Sequence, residues 1–248
     1  MIKDSNKSGL TIAIIPARGG SKEIPGKNLK HLNSSPLIAH TIRAARRSQL
    51  IDHVVVSSDD EEILAVSRAN GAQAINRPDD LATDESPTEP VLEHVVTTLE
   101  NEGKNIENVV LLQCTSPLRN EYDIDKAIRH FRDMKADSLL SVCRTHAFFW
   151  KKEKGTNRAK ATYDYKNRPR RQDISPEDIL YRENGAIYVT KRDILMNEHN
   201  RIGGNIAMYI MPKRFSLEID SEFDFWLASE IMKSSEYLLP RIPSDSSK

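Results

Sequence analysis

Short, uninterrupted apolar runs alternate along this chain of 248 residues with stretches whose apolar positions recur at helical spacing. Residues 10–15 (LTIAII) are β-branched and lack polar alternation, which predicts a strand covered on both faces and ended by Pro16. Pro36 opens a predicted helix through residue 48, with Leu37, Ile38, Ile42 and Ala45 on one side. Residues 52–57 read as a second buried strand. Asp59 and Asp60 then stand where a helix start favours negative charge, and Gly71 stops that helix. A brief third strand at 73–75, a helix at 91–100, a fourth strand at 108–113 and a helix at 122–134 complete four alternations. Ile124, Ala127, Ile128 and Phe131 give the last of these its buried side. Such alternation predicts an α/β fold, a Rossmann-like three-layer α/β/α sandwich on a mostly parallel, doubly wound sheet.

The pattern breaks after a fifth strand at 138–143. Residues 144–182 hold neither period for long and mix aromatic, basic and proline-containing segments, so they are expected to leave the sheet as an excursion. Order returns with a strand at 185–190 (GAIYVT), a helix-like KRDILMN, a strand at 205–211 and a terminal helix over 221–237. The reading is of one domain, 10–238, interrupted by the excursion, with a frayed PSDSSK tail. RPDDLATDESPT, at 77–88, is too long for a simple turn, and loops of that length at a sheet edge tend to be functional.

Charge narrows the partners. Lys plus Arg equals Asp plus Glu at 36 each, so no net field recommends a nucleic acid or a membrane surface. Its distribution is uneven: residues 151–173 carry nine cations against three acids, and residues 215–230 five acids against no cation. Cys114 and Cys143 each end an apolar run and read as reduced core thiols. With no apolar core in MIKDSNKSG and no long apolar span, the expectation is a soluble, cytoplasmic protein. The histidines form neither a ligand spacing nor a triad with serine, which leaves zinc and hydrolase readings unsupported.

Candidate chemistry begins in the loop after the first strand, IIPARGGSKEIPGKNLK, with Gly19, Gly20 and Gly26 among the cations Arg18, Lys22, Lys27 and Lys30. It is not a Walker loop, because five residues rather than four separate Gly20 from Gly26 and Asn28 follows Lys27. Nor does it contain the G-x-G-x-x-G dinucleotide fingerprint. What remains is a long basic loop at the carboxyl edge of a sheet, suited to a polyphosphate.

This segment resembles the opening motif of the CMP-sugar synthetases, the acylneuraminate cytidylyltransferases and their relatives acting on other nonulosonic acids. RPDDLATDESPT, LLQCTSPLR, YRENGAIYV and SLEIDSEFDFWLA follow in the family's order, so the resemblance spans roughly residues 10–235. It implies transfer of CMP from CTP to a 2-keto sugar acid, with Mg2+ and release of pyrophosphate. It places the nucleotide on Ala17, Arg18, Gly19, Lys27, Asn28 and Arg77, with Arg18 and Lys27 gripping the triphosphate. Gln113, Arg171, Gln172, Asn184 and Tyr188 are implied to line the acid-sugar pocket, while Ser116 and Arg119 brace their loop. Cys114 stands where the family usually has proline.

Glu218 and Asp220 are spaced i, i+2, so an extended segment would put both on one side. The family commonly has two aspartates there; Asp220 is the firmer implied metal ligand and catalytic group, Glu218 the second. Ser221 or Asp220 could equally cap the following helix. The resemblance also implies a homodimer, for which His146, Phe148, Phe149 and Trp150 and the run at 206–211 are candidate contacts. The residues alone leave open 3-deoxy-octulosonate as acceptor, another NTP as donor, a metal-dependent glycosyltransferase, a nonenzymatic nucleotide-binding module, and the identity of the general base.

Overall fold

The computed structural model describes residues 9–21 and 23–234. Lys22, the end of the expected terminal helix at 235–237 and the tail lie outside them. In chain order the elements are β1 (Leu10–Pro16), β2 (His31–Leu32), β3 (Ser35–Pro36), α1 (Leu37–Arg47), β4 (His53–Ser58), α2 (Glu61–Ala69), β5 (Gln73–Asn76) and α3 (Thr88–Asn101). Next come β6 (Ile106–Leu111), α4 (Glu121–Asp133), β7 (Ser138–Thr145), β8 (Trp150–Lys152), β9 (Ala159–Ala161), β10 (Leu180–Lys191), α5 (Arg192–Glu198), β11 (Ile206–Ile210) and α6 (Glu222–Lys233).

The main sheet has the order β11-β7-β10-β6-β1-β4-β5. Its apolar runs are continuous because both faces are covered. Along β1, Ala13 and Ile15 enter the core beneath α1, α2, α4 and α6, whereas Ile12 and Ile14 enter the one beneath α3 and α5. Val54 and Val56 of β4 likewise face one side and Val55 the other. Helix limits follow local chemistry. Asp60 caps α2 by accepting from the N–H groups of Glu62 and Ile63 at 2.8 and 3.1 Å, and Gly71 ends that segment with φ +82°, a conformation that a Cβ disfavours.

One strand boundary is corrected, and one strand direction is added to a sheet that is, as expected, mostly parallel. The strand at 185–190 begins earlier, at Leu180, where Tyr181 and Arg182 pair with Arg144 and Cys143 of a lengthened β7. The excursion therefore spans 146–179 and contains the β8–β9 hairpin. Secondly, β10 runs antiparallel to both neighbours while the other pairings in the sheet are parallel. The excursion leaves at the carboxyl end of β7 and returns there, so the chain re-enters the sheet pointing the opposite way. The first residues of β10 consequently lie at the carboxyl ends of β7 and β6, with β1 one strand further on.

That edge is also where the winding direction changes: β1 is followed outward by β4 and β5, and then α3 carries the chain back to β6 on the other side of β1. Crevices at such reversals hold ligands in open α/β sheets.

The turn after α1 is fixed by one buried carboxylate. Asp125 of α4, 4% exposed, accepts from Ser48 Oγ at 2.6 Å and from the N–H groups of Gln49 and Leu50 at 3.0 and 3.2 Å. Removing it strands these donors. Asp125→Ala is expected to lower the unfolding free energy by about 2–3 kcal/mol in urea titrations; a loss under about 0.5 kcal/mol, the scale of an ordinary surface substitution, would contradict this role.

Candidate active site

A cavity of about 310 Å³ opens at the carboxyl edge between the loops after β1, β5 and β6, with Arg18, Lys27, Asn28, Arg77, Thr88 and Gln113 among its lining residues. Lys27 donates from Nζ to the Ile219 carbonyl at 2.9 Å, and an ammonium with three N–H groups keeps two for a ligand. Arg18 binds the long 77–88 loop through Nη1, at 2.6 Å from Asp84 Oδ1 and 3.3 Å from the Thr83 carbonyl. Asn28 Nδ2 donates to the Arg18 carbonyl at 2.9 Å. Arg77 is 5% exposed and grips the end of β4, donating from Nη2 to the Ser57 carbonyl at 2.7 Å. Burial pulls its pKa below the usual value, with Asp59 opposing and Arg18 adding to the effect.

The loop after β6 is braced by its own side chains, and two further segments are tied to these loops. After β6, Arg119 donates from Nη2 to Thr41 Oγ1 at 3.0 Å and to the Gln113 carbonyl at 2.9 Å, and Ser116 Oγ donates to the Asn184 carbonyl at 3.1 Å. Both brace the loop. Before α6, residues 216–220 form a strap held at Ile219: its N–H donates to the Thr115 carbonyl at 2.8 Å while its carbonyl accepts Lys27. From β10, Arg182 reaches Glu218 Oε2 at 3.0 Å and the Ser216 carbonyl at 2.9 Å.

The strap carries Glu218 and Asp220 on either side of Ile219. Burial lifts the Glu218 carboxyl above its ordinary range, Arg182 acts against this and Asp220 adds to it. Ser221, not Asp220, is the α6 cap, in a reciprocal box with Asp224, so the exposed Asp220 carboxylate is not spent on capping. Among the described residues no three His, Cys, Asp or Glu side chains converge as a metal cluster. One or two carboxylates on a strap tied to a cavity lined by cations nevertheless fit a hard cation that takes its remaining ligands from other oxygens and water.

The cytidylyltransferase family profile matches residues 12–238. The chain belongs to the cytidylyltransferase family. It is 32% identical over 232 residues to the N-acylneuraminate cytidylyltransferase of Escherichia coli O18:K1:H7, a match covering 90% of this chain and 52% of that protein. The chain thus spans about half the length of the curated relatives it matches first. It is 30% identical to the post-translational flagellin modification protein B of Campylobacter coli, with 90% and 94% of the two chains covered. In fold it resembles CMP:2-keto-3-deoxy-manno-octonic acid synthetase complexed with CTP, with a TM-score of 0.67 at 19% identity over 90% of this chain and 98% of the other.

Residues carried over from other cytidylyltransferases fall into two groups here. Arg18, Lys27, Asn28, Arg77 and Gln113 meet at one cavity, while Glu218 and Asp220 lie outside its lining, on the strap that Lys27 ties down at the Ile219 carbonyl. Ala17 and Gly19 do not offer their amides: Ala17 N–H donates to the Ser57 carbonyl at 3.0 Å and Gly19 N–H to Asp59 Oδ1 at 3.0 Å. The amides of these two residues are therefore spent within the protein. Asn184 is fully buried. Tyr188, 3% exposed, belongs to the core beneath α3 and α5, and its hydroxyl bonds to Glu183. Neither lines the cavity. Arg171 and Gln172 are exposed on a short turn of the excursion, outside the cavity lining. Sequence reasoning missed Asp59, Asp84 and the Arg182–Glu218 pair. The acidic DD after β4 and the aspartate within the 77–88 loop were the available signals.

Cys114 lines the cavity floor at 4% exposure, and burial pushes its thiol up to about 12 despite nearby Arg119. It therefore acts as an apolar filler. At pH 8 the thiolate fraction of such a group is about 10⁻⁴, and Cys143 is buried as well. A thiol-disulfide reagent at pH 8 should leave both cysteines of the native protein unmodified over minutes and titrate both in denaturant. Rapid native labelling of Cys114 would contradict this environment.

Proposed function

We propose that this chain transfers CMP from CTP to the anomeric hydroxyl of a nonulosonic acid and releases pyrophosphate, with magnesium at Asp220 and a subsidiary role for Glu218. The observation that supports the reading is the Lys27–Ile219 bond, which ties the strap bearing Glu218 and Asp220 to a cavity lined by Arg18, Lys27 and Arg77. In-line attack on the α-phosphorus requires a triphosphate of roughly four negative charges to be held and its leaving group stabilised. Lys27 retains two N–H groups for the phosphates, Arg18 can exchange Asp84 for a phosphate oxygen, and Arg77 and Asn28 hold the nucleotide. Magnesium, when bound, supplies further charge neutralisation at the phosphate oxygens. Gln113 faces the acceptor side. Arg171 and Gln172 would have to approach with the excursion, and a carboxylate acceptor suits their chemistry.

A homodimer is part of the same proposal. The excursion exposes Phe149 and Trp150, and edge strand β11 exposes Ile206, Met208 and Ile210, an apolar surface of the kind that subunit contacts cover. Light scattering at micromolar concentration should report twice the chain mass; a single monomeric species would contradict it. No helix among the described residues is long and apolar enough to cross a membrane.

The test is a pyrophosphate-release screen of the four NTPs against several nonulosonic acids and 3-deoxy-octulosonate, with and without magnesium. CTP with a nonulosonic acid should give the signal, and only with magnesium. Asp220→Ala and Lys27→Ala should each lower kcat by about 10²-fold or more with unchanged circular dichroism. Turnover with another NTP, turnover without metal, or full activity of Asp220→Ala would refute the corresponding element.

A further inference from the structure

Asn184 and Gly185 form a bulge in β10, where pairing with β7 shifts register between Glu183 and Tyr188. The Asn184 side chain is fully buried and all its hydrogen-bonding groups are engaged within the protein. Oδ1 accepts from Ser141 Oγ at 2.7 Å and from the Ala186 N–H at 3.3 Å. Nδ2 donates to Ser216 Oγ at 2.9 Å and to Met211 Sδ at 3.4 Å. Its carbonyl accepts Ser116 Oγ. One residue thus joins the loop after β6, the neighbouring strand β7 and the strap that bears Glu218 and Asp220. No atom of the side chain is left for a sugar.

Ser216 is 1% exposed and lies two residues before Glu218. Its hydroxyl accepts Asn184 and donates to the Pro212 carbonyl at 3.1 Å, while its own carbonyl accepts Arg182. Beside Asn184, Gly185 sits at φ +62°, and a Cβ there would lie 2.5 Å from Gln113 Oε1 and 2.5 Å from Glu218 Oε1. The bare backbone is what lets the acceptor-side glutamine and the strap carboxylate approach each other.

We propose that the Asn184–Gly185 bulge is a positioning device that sets the height of the carboxylate strap against Gln113 through Ser216, and that Asn184 does not contact the acceptor. The inference rests on the reading of the strap as the cation-holding side of a CTP site. Buried partners that orient metal ligands typically govern affinity by tenfold or more, and groups acting through one another are non-additive.

Manganese binding in the presence of CTP and without acceptor, followed by electron paramagnetic resonance, separates the possibilities when combined with steady-state kinetics. Ser216→Ala, which deletes a single hydroxyl, and Asn184→Ala should each weaken manganese binding roughly tenfold. The double variant should be no worse than the poorer single one, and the acceptor KM should stay within about twofold, the scatter expected of an uncoupled group. An acceptor KM raised in Asn184→Ala alone, with manganese affinity intact and Ser216→Ala silent, would overturn the proposal in favour of direct sugar contact. Additive losses would overturn the coupling through Ser216. If the wild-type protein binds no manganese with CTP, the underlying reading of the site falls and this proposal with it.

Discussion

The peptide group of Ile219 is the point on which the site depends. Its N–H belongs to the loop after β6 and its carbonyl to Lys27 in the loop after β1, so two loops far apart in sequence are held by one backbone unit. Neutral hydrogen bonds contribute about 1 kcal/mol each to stability and those to a charged donor somewhat more. Their larger effect here is geometric. They fix the strap that carries Glu218 and Asp220, one residue away on either side of the shared backbone unit, to the loop that carries Lys27. Lys27 meets a carbonyl, which leaves its charge available, whereas Arg18 meets the Asp84 carboxylate and must exchange it.

This arrangement is possible because β10 is reversed. In an all-parallel sheet the polar residues that begin β10 would lie at the far edge from the nucleotide loops. Reversal brings Arg182, Asn184 and Gly185 to the carboxyl edge, where they clamp the strap that follows β11. The polar YREN preceding the apolar GAIYV therefore has a structural cause: the first part of the strand lies in the site and the second part in the core. Exposure falls along it accordingly, from Leu180 at 57% to Ile187 at 0%.

Periodicity made most of the fold legible. Runs such as IAII and HVVVSS read as strands covered on both sides, and the acidic start of α2 and the stop at Gly71 could be read locally, whereas the choice of Ser221 over Asp220 as the α6 cap came from the structure. Strand direction could not, since an apolar run looks the same whichever way it enters a sheet. At the site, resemblance found the residues but not always how they act. Arg18, Lys27, Arg77 and Gln113 converge because each follows a strand at one edge. Asn184 and Tyr188 share a motif with the site while their side chains point into the protein, a distinction that depends on the bulge and on Ser141, Ser216 and Glu183, all remote or inconspicuous in sequence. Asp59 and Asp84 were hidden for a related reason: their partners, the Gly19 N–H and Arg18, lie 40 and 66 residues away in the chain.

If the Ile219 strap joins the separate loops into one CTP site, CTP with magnesium must be felt by all of them together. Hydrogen–deuterium exchange with and without the nucleotide measures this directly. Slowed exchange should appear jointly in residues 16–30, 77–88, 113–119 and 216–220, with the β8–β9 hairpin unchanged in the absence of acceptor. Protection confined to the first two segments, with 216–220 exchanging as before, would contradict a strap that forms part of the nucleotide site.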